Sequence, residues 1–215
     1  MNEVLSKQEA RAWAKQQRQA LPEAEYRRLN AALIEHLQAL IHWQVVRYLH
    51  TFLPIERQRE PDMRPLLHFL EQTFPNVQIA VPKVKGGRLE HYRLLPHAQL
   101  QLSSWGVPEP PDSAPALAPS DFENIDVVLV PLLAFDLRGG RVGYGKGYYD
   151  AFLRHLPHAL RVGVSLLPPL KAIADLEEHD MPLHLVVTPA RTYDFRFLAE
   201  KAMHGHLIKK QSNVP

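Results

Sequence analysis

The chain of 215 residues carries 25 Lys and Arg against 23 Asp and Glu, for a net charge of +2, with 46% hydrophobic and 22% charged residues. That balance excludes wholesale disorder and offers no bulk field for nucleic acid or an anionic membrane, so any basic site has to be local. The absence of cysteine excludes disulfides, thiolate metal sites and cysteine nucleophiles, and it fits a reducing cytoplasm.

At the N-terminus no apolar core precedes a small-residue cleavage site, and no segment reaches the roughly 18 apolar residues needed to cross a bilayer. The expectation is a soluble, cytoplasmic protein. Lys7 to Gln19 lacks proline and glycine and is rich in good helix formers, so it reads as a helix. Pro22 suits the first turn of a second helix, in which Leu29, Leu33, Leu37 and Leu40 form a core-facing stripe. The segments Val45–Leu53, Val77–Val84, Ile125–Phe135, Leu160–Leu167 and Leu183–Pro189 read as strands. Helices are expected between them at Pro61–Phe74, Gly147–Leu156 and Leu170–Glu178. Alternating strands and helices, with a central strand apolar on both faces, predict an α/β fold of three layers (α/β/α) with a mostly parallel sheet and a helical N-terminus. The stretch Ser103–Asp121 has five prolines between Pro108 and Pro119 and reads as a domain linker or as an extended excursion over one domain. One domain over 1–200 is expected, followed by a polar, frayed tail over 201–215.

The chemistry concentrates in Val130–Leu153. A buried-type strand runs into a loop holding Gly139, Gly140, Gly143, Gly145 and Gly147, five of the chain's ten glycines. Glycines let successive N–H groups turn toward an anion, and a helix N-terminus follows. Arg138, Arg141 and Lys146 add cations suited to phosphate oxygens. Gly140, four residues, Gly145 and Lys146 fit the P-loop pattern, but Gly147 stands where a hydroxyl should ligate magnesium. A divalent ion would then need Asp150 or Asp136. The pair His155 and His158 has ligand-like spacing, but Pro157 interrupts the helix that would align it, so no zinc site is expected.

The run Arg141-Val142-Gly143-Tyr144-Gly145-Lys146-Gly147-Tyr148-Tyr149-Asp150, preceded by Pro131-Leu-Leu-Ala-Phe-Asp136, resembles the signature of the 5-formyltetrahydrofolate cyclo-ligase family. Weaker matches follow in the right order: Lys7-x-x-x-Arg11, Glu60-Pro-Asp62, Trp105-Gly-Val-Pro-Glu-Pro110 and Glu178-His-Asp180. The resemblance implies that 5-formyltetrahydrofolate and ATP give 5,10-methenyltetrahydrofolate, ADP and phosphate, by way of a phosphorylated formyl (imidate) intermediate.

By that resemblance Lys7, Arg11 and the loop from Arg141 to Tyr149 would bind ATP, with Lys146 and Arg141 as the catalytic cations. Leu53, Glu60, Trp105, Tyr144, Gly145, Lys146, Gly147 and Tyr148 would contact the folate. Asp150 and Asp180 would hold Mg2+; His184 stands after Leu183 where many relatives carry Asp, which leaves Asp180 alone there. Without the resemblance, Lys7 and Arg11 read better as part of a solvated basic stripe continuing through Lys15 and Arg18. Partners are expected to be small molecules, with no nucleic acid and no membrane, and the protein a monomer or weak dimer. Competing readings are a non-catalytic nucleotide- or folate-binding protein on the same fold, and a sugar-phosphate isomerase or CoA-transferase, which would need no ATP.

Overall fold

The computed structural model describes residues 4–96, 98–104, 106–196 and 204–209. Helix α1 (Lys7–Ala20) begins at Ser6, whose hydroxyl accepts from the Glu9 N–H while the Glu9 carboxylate accepts from the Ser6 N–H, a reciprocal cap. Helix α2 (Glu23–Leu40) buries Leu33, Ile34, Leu37 and Leu40 on one face. Helix α3 (Arg64–Thr73) buries Leu66 and Leu70. The short α4 (Tyr148–Leu153) follows the glycine loop.

Seven strands form the central sheet: β1 (Tyr48–His50), β2 (Gln78–Lys85), β3 (Arg88–Arg93), β4 (Val127–Pro131), β5 (Leu160–Val164), β6 (Leu185–Val187) and β7 (Thr192–Asp194). Their order is β7-β6-β5-β4-β1-β2-β3. The pairs β1–β2, β1–β4, β4–β5 and β5–β6 are parallel; the two edge pairs are antiparallel. Alternation along β4 explains the layering. Val127 and Leu129 pack with α2 and α3, whereas Val128 and Val130 face Phe152, Leu153 and Leu156 on the other side. All four are fully buried, as a strand covered on both faces requires. A third cluster places Ala10 and Ala14 of α1 against Leu133, Ala134, Val142 and Ile173. Helix α1 therefore lies across the carboxyl ends of the parallel strands, where α/β sheets place their ligands.

Several expectations are corrected. Leu170–Glu178 is not a helix: Ala172–Ile173 pairs in parallel with Val4–Leu5, and the buried Ile173 N–H donates to the Asp136 carboxylate at 3.0 Å. Pairing with an outside strand and an outside carboxylate removes the intrahelical bonds a helix would use. Strand β3 was not expected; Gly86 and Gly87, at φ +56° and +75°, close a two-residue hairpin between β2 and β3. The proline-rich stretch runs over the sheet edge: Leu117 donates to the His91 carbonyl, Arg93 donates to the Pro115 carbonyl, and the Lys83 ammonium reaches the Pro110 carbonyl. Within the stretch expected to fray, residues 204–209 dock on the end of α2, with Leu207 buried and Ile208 bridging Ile41. The rest of 201–215 lies outside the described residues.

Candidate functional site

The glycine loop is shaped from below by Asp136. Its fully buried carboxylate accepts from the N–H groups of Arg138 (2.9 Å), Gly140 (3.0 Å) and Ile173 (3.0 Å), and it pairs with the Arg138 guanidinium at 3.1 Å. Asp136 is thus fully engaged in holding the loop, which excludes it as the divalent-ion ligand the sequence suggested. Gly145 sits at φ +89°, and a Cβ there would lie 3.4 Å from the Arg11 guanidinium. Only glycine combines that conformation with so close an approach.

Helix α1 supplies cations from above. Lys7 and Arg11, one turn apart, both find partners, Arg11 on the glycine loop and Lys7 on Glu177 and Asp180, so the reading of a purely solvated stripe does not hold for them. Arg11 Nε donates to the Gly143 carbonyl at 3.0 Å. Lys7 Nζ pairs with Asp180 at 2.7 Å and lies 3.5 Å from Glu177. Burial works against the Asp180 carboxylate, but the Lys7 ammonium and the Glu177 N–H outweigh it and hold its pKa below the usual range. Arg141, nearly buried, donates to Asp150 at 2.8 Å and to the Met181 carbonyl. Asp150 also accepts from the Met181 N–H at 3.0 Å. The two aspartates predicted as metal ligands are therefore brought together around Asp180-Met181, each already facing a cation. Their hydrogen bonds use Oδ1 of Asp150 and Oδ2 of Asp180; among the described residues the other oxygen of each has no such partner. Two such oxygens beside a cation-lined glycine loop suit Mg2+, which takes one or two carboxylates and completes its shell with phosphate and water. Among the described residues no cluster of three or more His, Asp or Glu side chains forms a self-sufficient metal cage.

Lys146 is exposed and, among the described residues, has no ion-pair partner. Val142 is buried against α1, so only its backbone can face a ligand. Tyr148 is half-buried, whereas the Tyr149 hydroxyl is buried without a partner, and burial pushes its pKa far up.

On the far side of the loop lies a buried polar group. Glu60 is 4% exposed; it accepts from the Tyr144 hydroxyl at 2.5 Å and from the Ile55 N–H at 2.7 Å. Burial raises its pKa, against the opposing pull of Tyr144, Ile55 and the charge of Arg18. The Tyr144 hydroxyl is pushed up as well, first by burial and then by Glu60. Leu53 is buried nearby in sequence and lines a separate groove of about 510 Å³ with Leu67, Arg93 and Leu95. Trp105 lies outside the described residues. Sequence reasoning missed Arg18, which is 1% exposed, and Lys15, whose ammonium lies 5.9 Å from the centre of the Tyr144 ring. The signal for Arg18 was present: Ala10, Ala14 and Arg18 fall at four-residue steps, and the two alanines are buried.

His184, which the resemblance sets where an Asp was expected, is buried against Arg161 and His204.

A sequence profile of the 5-formyltetrahydrofolate cyclo-ligase family matches residues 3–189. The chain belongs to this family. The family is one of ligase enzymes, and its Escherichia coli K12 cyclo-ligase is 30% identical over 139 residues, covering 63% of this chain and 75% of that protein. The NMR structure of Aquifex aeolicus 5,10-methenyltetrahydrofolate synthetase superposes with a TM-score of 0.74 at 30% identity, covering 89% of this chain and 93% of that one. The Mycoplasma pneumoniae synthetase structure, at 21% identity, shares the fold with a TM-score of 0.66 over 86% of this chain and 99% of its own. The cyclo-ligase fold thus places α1, the glycine loop and the Glu60 loop at one end of the sheet. Among the described residues no helix is long and apolar enough to cross a membrane.

Proposed function

We propose that this chain closes 5-formyltetrahydrofolate to 5,10-methenyltetrahydrofolate at the expense of ATP, releasing ADP and phosphate. The observation that carries this reading is the convergence on one glycine loop of four cations (Lys7, Arg11, Arg141 and Lys146) and two aspartates, beside a buried carboxylate suited to a ring N–H.

The formamide oxygen is a poor leaving group. Attack of that oxygen on the γ-phosphorus breaks the bond to ADP and gives an imidate phosphate. N10 then attacks the formyl carbon and loses its proton, and the C–O bond breaks as phosphate departs. Such a transfer needs positioning and charge neutralisation more than a protein nucleophile. Backbone N–H groups from Gly143 to Gly147, with Lys7 and Arg11, bind the phosphates; Val142, Tyr148 and Tyr149 border that site. Lys146, without an ion-pair partner among the described residues, supplies the mobile cation for the migrating group, while Arg141 is held in place by Asp150. Glu60, with Leu53, Trp105 and Tyr144, orients the folate. Mg2+, held by Asp150 and Asp180, would neutralise phosphate oxygens when bound.

The test is the absorbance of methenyltetrahydrofolate formed from 5-formyltetrahydrofolate with and without ATP. ATP-dependent formation supports the reading. Binding of both ligands without turnover would make the protein a non-catalytic folate- and nucleotide-binding relative.

A further inference from the structure

Arg18 is the most deeply buried cation near the site. Its Nη2 donates to the Leu132 carbonyl, but Nε and Nη1 are buried with no hydrogen-bond partner. Its charge acts on both Glu60 and Tyr144, and its side chain reaches the Tyr144 hydroxyl, so the guanidinium lies beside that pair. A buried guanidinium so sparsely partnered is costly, and the obvious remedy is a two-pronged bond to the nearby carboxylate. Glu60 does not provide it: one oxygen takes the Tyr144 hydroxyl and the other takes the Ile55 N–H. The structure therefore holds an acceptor and a donor next to each other, capped by a tyrosine carried on the glycine loop between Gly143 and Gly145.

We propose that Arg18 is a substrate-contacting residue, uncovered when Tyr144 leaves Glu60, and that it donates to the 4-oxo group of the folate ring. This rests on the folate-cyclising reading above. The pyrimidinone edge of a tetrahydrofolate presents two donors, the 2-amino group and N3–H, followed by one acceptor, the 4-oxygen. Glu60 matches the donors, and the buried Arg18 beside it matches the acceptor. Arg18 thereby makes the pocket specific for 4-oxo over 4-amino rings, because a 4-amino group would turn its N–H toward a guanidinium that cannot accept. Tyr144 satisfies Glu60 in the meantime and is displaced by the incoming ring.

The experiment compares binding of 5-formyltetrahydrofolate and its 4-amino analogue, by calorimetry and without ATP, in the wild-type protein, Arg18→Met and Arg18→Lys. A charged hydrogen bond lost to a mismatched ligand is worth roughly 10- to 100-fold. The wild type should prefer the 4-oxo ligand by about that factor. Arg18→Met should bind the 4-oxo ligand correspondingly less tightly and the 4-amino ligand almost as before, so that the preference collapses to about 3-fold or less. ADP binding should stay within about 2-fold. Arg18→Lys, which keeps one donor, should fall between. Equal losses for both ring ligands, with the wild-type preference retained, would show a purely structural arginine and overturn the proposal. So would a wild-type preference below about 3-fold, which needs no variant to fold. Absence of turnover with ATP would strike the catalytic reading alone, since the ring preference is read from binding.

Discussion

The two sides of the glycine loop handle charge in opposite ways. On the α1 and Met181 side, Lys7 meets Asp180 and Arg141 meets Asp150, each at 2.7–2.8 Å, with part of the layer open to solvent. On the Glu60 side, Arg18 is buried with two unmet donors, and a tyrosine occupies the carboxylate. Paired, partly exposed charges can exchange partners cheaply when a polyanion and its cation arrive, because each paired group keeps a counter-charge throughout. An unmatched buried donor gains most from a ligand of one shape. On the function proposed above, the first side manages charge and the second reads a ring.

The largest expected effect isolates Lys146, the cation without a partner on the charge-managing side. Lys146→Met keeps much of the apolar stem and removes the charge. Losing one preorganised electrostatic contact costs on the order of 10²–10³ in kcat. Stability should hardly change, because the side chain is exposed and unpaired, and folate binding should survive. Near-normal kcat at saturating ATP would shift the catalytic charge to Arg141 and show that Lys146 only aids ATP binding.

Next comes Asp150, where two roles meet. Asp150→Ala removes a proposed Mg2+ ligand and also strips Arg141 of its carboxylate. The Mg2+ concentration for half-maximal activity should rise about 10-fold, on the reasoning that Mg2+ uses only one or two protein carboxylates. Folate binding without metal should hold, since Glu60 lies on the other side. An unchanged Mg2+ titration would remove Asp150 from the metal site; parallel loss of folate binding would erase the division between the two sides.

How much of this division could be read in the sequence depends on what each side is made of. The glycine loop was legible because its parts are local, glycine spacing and a lysine mid-loop, whereas Lys7 and Arg11 entered only through the family resemblance, since their spacing alone reads as a solvated stripe. The α/β layering was legible from the doubly apolar Val127–Val130 run. On the Glu60 side the family resemblance supplied Glu60 and Tyr144 but not Arg18, because residues 18, 60 and 144 are united only by the tertiary fold. Arg18 looked like one more solvated cation after Lys15. Its four-residue step from Ala10 and Ala14 signals a buried face, but what it meets there follows from where α1 lands. For the same reason Leu170–Glu178 looked helical: nothing nearby in sequence announces that Asp136 and Val4–Leu5 will claim its backbone.

A pH series sharpens the contrast through Glu60. Burial raises its pKa above the ordinary 4.5, and the proposed ring contact uses the ionised form. Folate binding should therefore weaken as pH falls through that raised value, while Glu60→Gln should bind weakly and show a flatter profile. For stability the sign is opposite. A carboxyl with a raised folded pKa stabilises the fold below its unfolded value and loses that contribution as pH rises through the folded value. An acid-side fall in folate affinity unchanged in Glu60→Gln would assign the titration to another group.

The smallest effect belongs to the Lys7–Asp180 pair, and its smallness is the point. The Asp180 carboxyl is held below 3.8 in the fold, so its contribution is present above the unfolded pKa and is lost as pH drops through the depressed folded value. The two side chains are 15% and 17% exposed, between the surface and buried cases, and surface pairs are worth roughly 0–1 kcal/mol. Asp180→Asn should therefore lower unfolding stability at pH 7 by about 0.5–1 kcal/mol, shrinking as salt is raised and vanishing at acid pH where the wild-type carboxyl is itself protonated. Urea titrations at both pH values measure this. A loss of several kcal/mol at pH 7 would mean that Lys7 is left buried and uncompensated. The charge-managing side would then be as unforgiving of a missing partner as the arginine behind Tyr144, and the contrast between the two sides would fail.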